Sequence, residues 1–135
     1  MDKKKVLVVD DDPDIRETIC FNLEREGYGV SSAKNGWEAL GAVRASEPDL
    51  VILDVRLPKE NGSRVCQFIK NDIKKGVYRK NIIIILLTGL AVLAVHDPER
   101  EKKLRDLSGS DHLMYKPFEM EQLMEKVHDL LIIEE

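Results

Sequence analysis

Five short apolar runs, each followed by a stretch of helical periodicity, constrain this chain more than any other feature. Strands are expected at Lys5 to Val9, Tyr28 to Ala33, Leu50 to Asp54, Asn81 to Leu87 and His112 to Tyr115. Runs such as Val6-Leu7-Val8-Val9 and Leu50-Val51-Ile52-Leu53 do not alternate with polar residues, so they read as strands buried on both faces, as in a parallel sheet. Between them, apolar residues recur at helical spacing: Ile15, Ile19 and Leu23; Trp37, Leu40 and Val43; Val65, Phe68, Ile69 and Ile73; Met120, Leu123, Met124, Val127 and Leu131. Each set predicts a helix with one inward face. A further helix is expected from Pro98 to a stop at Gly109, with Leu104 and Leu107 facing inward. The pattern as a whole predicts repeated βα units, an α/β sheet with helices on both sides.

At 135 residues, with 43% hydrophobic and 34% charged, the chain suits one globular domain, 1–135, with no linker or repeat dividing it. A net charge of −4 supplies no overall basic field, which argues against direct nucleic-acid binding. The clusters Lys3 to Lys5 and Lys74, Lys75, Arg79, Lys80 read as solvated surface. Ile82 to Val95 is shorter than the roughly 20 residues of a membrane span and carries a Thr-Gly break. No signal peptide is visible. Cys20 and Cys66 lack CxxC spacing and are expected as reduced thiols, so a cytoplasmic location is expected. His96, His112 and His128 share no metal-ligand spacing.

Chemistry concentrates where strands end. Asp10, Asp11 and Asp12 follow the first apolar run, Asp54 closes the third, Thr88 ends the fourth and Lys116 follows the fifth, just before Pro117. Ligands bind beyond the carboxyl ends of strands in open parallel sheets, so these groups are expected at one rim. Asp12 before Pro13 is a natural cap and first-turn pair for the first helix. That leaves Asp10, Asp11 and Asp54, which would repel by about 3 kcal/mol per pair at about 5 Å and an effective dielectric near 20. A hard divalent cation such as Mg²⁺ would offset the repulsion. Asp54 is then a candidate nucleophile toward a phosphoryl group, and Lys116 an ammonium placed to reach an anion. Thr88 offers a hydroxyl that closes the strand locally or meets a phosphate oxygen.

As a set these residues resemble the receiver domain of two-component response regulators, and the resemblance spans nearly the whole chain. It rests on Val6-Leu7-Val8-Val9-Asp10-Asp11-Asp12-Pro13, Leu53-Asp54-Val55-Arg56-Leu57-Pro58 with Asn61-Gly62, Leu87-Thr88-Gly89 and Tyr115-Lys116-Pro117-Phe118. The resemblance implies a flavodoxin-like (βα)5 doubly wound fold with five parallel strands in order 2-1-3-4-5. It also implies an Mg²⁺ site and phosphorylation of Asp54 by a sensor histidine kinase or histidine phosphotransfer protein. Carried over by position, Asp11 and Asp54 would ligate Mg²⁺ directly, Asp10 through water, and Arg56 through its carbonyl. Thr88 and Lys116 would contact the phosphoryl group. The implied output is altered contact with a downstream effector protein through the fourth helix, fifth strand and fifth helix, and the implied activity is a switch that catalyses only its own phosphoryl transfer and dephosphorylation.

The chain departs from the family pattern in two places. The aromatic residue usual three positions before the lysine is Leu113 here, and Tyr115 is expected on the opposite face of the strand. Thr88 and Lys116 are 28 positions apart, longer than the family pattern, which places an insertion around Gly89 to Pro98. Arg56 is expected beside the path of an attacking water, where it would affect phosphoryl lifetime. Two other readings compete. One is a phosphorylation-independent pseudo-receiver that binds partners constitutively; the other is a haloacid-dehalogenase-like phosphohydrolase using Asp10, Asp12, Thr88 and Lys116. Phosphorylation-dependent dimerisation is compatible with the sequence, which offers no exposed apolar stripe that would require it.

Overall fold

The computed structural model describes residues 3–58, 60–89 and 97–134, with the backbone alone for 133 and 134. Its elements alternate strictly: β1 (Lys5–Val9), α1 (Pro13–Arg25), β2 (Gly29–Ala33), α2 (Gly36–Ser46), β3 (Leu50–Asp54), α3 (Gly62–Lys74), β4 (Ile83–Gly89), α4 (Pro98–Ser108), β5 (His112–Lys116) and α5 (Met120–Glu134). The five strands form one sheet in order β2-β1-β3-β4-β5, and every pairing is parallel. This is the expected doubly wound flavodoxin-like topology, in which the order reverses between β1 and β3.

Alternation along the strands builds two cores. Leu7, Val9, Val51, Leu53, Ile84 and Leu86 face α2 and α3. Val6, Val8, Leu50, Ile52, Ile85 and Leu87 face α1 and α5. Because both faces are covered, the central strands are apolar without interruption. The helices start where short polar residues cap them: Asp12 accepts from the Asp14 and Ile15 amides, and Asn35, Asn61 and Asp97 do the same for α2, α3 and α4. Gly109, at φ 76°, closes α4 in the left-handed region that favours glycine.

The structure departs from the sequence expectations in particular places. β4 runs from Ile83 to Gly89 and not from Asn81 to Leu87, because pairing starts at Leu50 with Ile83 and continues to Gly89 opposite Lys116. The Ile82 carbonyl, before the strand, accepts from the Lys70 ammonium at 2.8 Å. Tyr28 falls outside β2, and β5 extends to Lys116. Trp37 and Phe68, expected on inward helix faces, are 68% and 45% exposed, and Leu107 is also exposed. Leu113 packs on the α2–α3 side, whereas Met114 packs on the other. Tyr115 lies on the same face as Leu113, since a strand returns to one face every second residue, and its hydroxyl donates to the Glu101 carboxylate of α4. The expectation of opposite faces was wrong. Residues 90–96, which hold most of the expected insertion and His96, lie outside the described residues.

His112 opens β5, and burial, followed by the nearby charges of Lys126 and Arg105, pulls its imidazole below the ordinary value of 6.5. A histidine held neutral by the fold contributes stability above its unfolded value, and that contribution is lost as pH falls through the depressed folded value. Urea unfolding midpoints should therefore drop between about pH 8 and pH 5, and the drop should be smaller in His112→Gln.

Candidate functional site

Parallel register places the chemistry. Val9 pairs with Leu53, so Asp10 and Asp54 leave adjacent strand ends side by side. The Asp10 backbone is fixed from two directions: its amide donates to the Ala33 carbonyl at 3.2 Å, and its carbonyl accepts from Arg16 Nη1 at 2.8 Å. Sequence reasoning passed over Arg16. Its spacing four residues after the cap Asp12, on the first turns of α1, was the available signal.

The loop after Asp54 is held just as tightly. The Val55 amide donates to the Leu87 carbonyl at 2.8 Å, and the Gly62 amide donates back to the Val55 carbonyl at 2.8 Å. A Cβ on Gly62 would lie 1.9 Å from the Asp54 carbonyl oxygen, so α3 can begin here only at glycine. This close approach brings the first turn of α3 against the backbone of Asp54.

Lys116 supplies the missing positive charge. Its Nζ lies 2.7 Å from Asp54 Oδ2 and 3.1 Å from Asp10 Oδ2. Both carboxylates are buried, whereas about a quarter of the lysine side chain is exposed. The Lys116–Pro117 peptide is cis. The remaining oxygens are also engaged: Asp10 Oδ1 accepts from the Asp12 amide at 3.0 Å, and Asp54 Oδ1 from the Arg56 amide at 2.9 Å. Burial raises the Asp10 carboxyl above its usual range against the opposing pull of the Asp12 amide and Lys116. Burial would lower Lys116, but its hydrogen bonds to Asp54 and Asp10 outweigh that and raise it.

Asp10, Asp11 and Asp54 each offer a carboxylate oxygen, all within 4.8 Å of one another. Three carboxylates and one ammonium carry a formal charge of −2, and an all-oxygen donor set of that charge fits a hard divalent cation. Thr88 lies one residue beyond Leu87, the register partner of Asp54. Its hydroxyl is fully buried and has no hydrogen-bond partner among the described residues, a state that calls for a missing acceptor or donor. Arg56 reaches this constellation through its backbone, and its side chain is exposed. Asp12 is not one of these three acids; its Oδ1 caps α1. Among the described residues, no helix is long and apolar enough to cross a membrane.

Similarity to known proteins converges on one family. The response regulator receiver domain family matches residues 6–128. The chain is 33% identical over 128 residues to the DNA-binding dual master transcriptional regulator RpaA of Synechocystis sp., covering 94% of this chain and 48% of that protein. It is 36% identical over 128 residues to the alkaline phosphatase synthesis transcriptional regulatory protein PhoP of Bacillus subtilis, covering 95% and 48%. The chain thus spans about half the length of these relatives. Among solved structures, the receiver domain of the Francisella response regulator 1452 superposes with a TM-score of 0.81 at 27% identity, covering 98% of this chain and 99% of that one. The chemotaxis response regulator CheY4 of Vibrio cholerae gives 0.79 at 27% identity, covering 95% and 98%.

Two outcomes test this geometry. Gly62→Ala should lower folding stability by about 3 kcal/mol in urea titrations, at the upper end for overpacking, because backbone and not a flexible side chain blocks the methyl. Lys116→Met should cost about 2 kcal/mol without added metal, less than a fully buried pair because the lysine is partly solvated. Adding Asp10→Asn to that variant should recover most of the loss.

Proposed function

We propose a phosphoacceptor role from one premise: this chain belongs to the response regulator receiver domain family of two-component signalling. The observation that supports the assignment to Asp54 is the ammonium of Lys116 seated between two buried strand-end carboxylates, at 2.7 Å from Asp54 and 3.1 Å from Asp10. Asp10 is the more enclosed of the two, with 1% of its side chain exposed against 6% for Asp54, and its backbone carbonyl is held by Arg16.

In this reading Asp54 attacks the phosphorus of a phosphohistidine on a sensor histidine kinase or histidine phosphotransfer protein. The phosphorus–nitrogen bond breaks as the phosphorus–oxygen bond forms, and the electron pair returns to the imidazole. Asp11 and Asp54 would hold Mg²⁺, with Asp10 acting through water and the Arg56 carbonyl completing the protein's share. The ion, when bound, supplies positive charge to the transferring oxygens. Lys116 moves its ammonium from the Asp54 carboxylate to a phosphoryl oxygen, and Thr88 donates its unpaired hydroxyl to another. The exposed Arg56 side chain sits two residues from the nucleophile, where it affects the entry of a hydrolytic water and so the lifetime of the phosphoryl group.

Thr88 pairs in register with Tyr115, so a hydroxyl drawn toward Asp54 changes the surroundings of β5 and α4, the surface offered to a downstream effector. The reading covers 1–135 as one receiver unit in the cytoplasm, in keeping with the free thiols of Cys20 and Cys66. The transcriptional roles named for RpaA and PhoP belong to proteins about twice this length, and here signalling is read as protein contact.

Treatment with acetyl phosphate and Mg²⁺ should add a single phosphoryl group, mapped to Asp54 by mass spectrometry and absent from Asp54→Asn. Lys116→Met should slow labelling by about 100-fold, the scale of losing one group that stabilises transition-state charge. A parent chain left unlabelled would return the protein to the phosphorylation-independent interaction module. Repeated release of phosphate from a phosphomonoester would return it to the hydrolases.

A further inference from the structure

The guanidinium of Arg16 bonds a neutral acceptor although acids stand nearby. Glu17 and Glu24 line the same cleft beside α1, yet Arg16 Nη1 donates to the Asp10 carbonyl at 2.8 Å. The Arg16 amide donates to the Asp12 carbonyl at 3.0 Å, and the Asp12 amide donates to Asp10 Oδ1 at 3.0 Å. Arg16 thus holds the chain on both sides of Asp11. The amide contact is open to any residue that continues α1, since it is the first bond of the helix. The guanidinium contact needs a long donor at this one position.

Asp11 is the acid that this clasp serves. Asp10 and Asp54 are buried, and backbone amides and Lys116 hold their carboxylates. Asp11 is exposed, and among the described residues no donor bonds its carboxylate. It still offers an oxygen within 4.8 Å of oxygens on both of the others. Its position is therefore set through its backbone, which the guanidinium restrains from the Asp10 side. A ligand on an unrestrained turn would have to be ordered on binding, and that entropy would be subtracted from the affinity for a cation.

We propose that Arg16 is a positioning residue for the cation site: by holding the Asp10 carbonyl it presents Asp11 to Mg²⁺ and so sets the affinity for the ion through the backbone. The inference rests on the reading of this rim as an Mg²⁺ site. Position and charge act in opposite directions here, which makes the role separable. A guanidinium near the rim opposes a cation by simple repulsion, so removing its charge alone would tighten Mg²⁺ binding. Removing its grip on the Asp10 carbonyl loosens Asp11 and weakens binding. Because that grip is on a carbonyl, no rim carboxylate is neutralised by pairing with Arg16, and the acids keep their charge for the ion.

Calorimetric titration of the full chain with Mg²⁺ tests this, with urea unfolding in the absence of metal to establish that each variant is folded. Arg16→Met keeps the aliphatic stem and removes the donors, and it should raise the Mg²⁺ dissociation constant about 10-fold, the scale of losing a contact that orients a metal ligand. Arg16→Lys keeps a donor and should recover most of that loss. If Arg16→Met does not fold, Arg16→Gln takes its place, its shorter side chain stopping short of the carbonyl, with the same rise expected. A dissociation constant unchanged or lowered on loss of the guanidinium overturns the proposal, as does a lysine variant as weak as the methionine one. Weakened binding in Arg16→Met, from a parent that binds Mg²⁺ yet takes no phosphoryl group on Asp54, supports the inference and overturns only the phosphoacceptor reading. A parent that binds no Mg²⁺ overturns both.

Discussion

Two buried carboxylates share one ammonium, and the rest of the rim is arranged around that contact. Asp10 and Asp54 meet because β1 and β3 are sheet neighbours, and Lys116 reaches them because β4 carries β5 into register beside them. Without the lysine, two charges would be buried beside each other uncompensated, at a cost of about 2 kcal/mol, a sizeable share of the stability of a domain of this size. With it, the acids stay together, partly compensated, and a residual negative charge remains for a divalent cation. The same contact that makes the fold tolerable also suits the proposed reaction, in which negative charge is transferred to the region the ammonium already occupies.

Rigidity around this contact comes from the backbone. Arg16 and the Ala33 carbonyl fix the β1 end, and Gly62 presses α3 against the carbonyl of Asp54. Among the described residues, the buried side-chain group at this rim without a hydrogen-bond partner is the Thr88 hydroxyl. The register partner of Thr88, Tyr115, is tied to α4 through Glu101. Change at the rim thus has a structural route to one side of the molecule.

Much of this was legible in the sequence, for identifiable reasons. β1 and β3 were bounded to the residue because a buried parallel strand is an unbroken apolar run that ends where polar chemistry begins. Asp12-Pro13 marked the start of α1, and Gly109 the end of α4, because caps and left-handed turns depend on local residue types. β4 was misplaced by two residues because its limits come from its neighbours: Ile82 is as apolar as Ile83 but has no strand partner. Trp37 and Phe68 were misread because helical spacing reports that apolar residues share a stripe, not whether another element covers it. Tyr115 was assigned to the wrong face by a slip in strand alternation that its contact with α4 corrects.

The order of strands and helices, the two-sided burial of the sheet and the identity of the rim acids were determined by sequence, since each depends on residue type and on spacing along the chain. Tertiary structure alone decided that Lys116 lies between Asp10 and Asp54 across 106 and 62 positions of chain, that Arg16 and Gly62 brace them, and that an indole on α2 faces water. Those facts depend on which strands become neighbours and in what register, and parallel pairing fixes both only when the whole sheet is assembled.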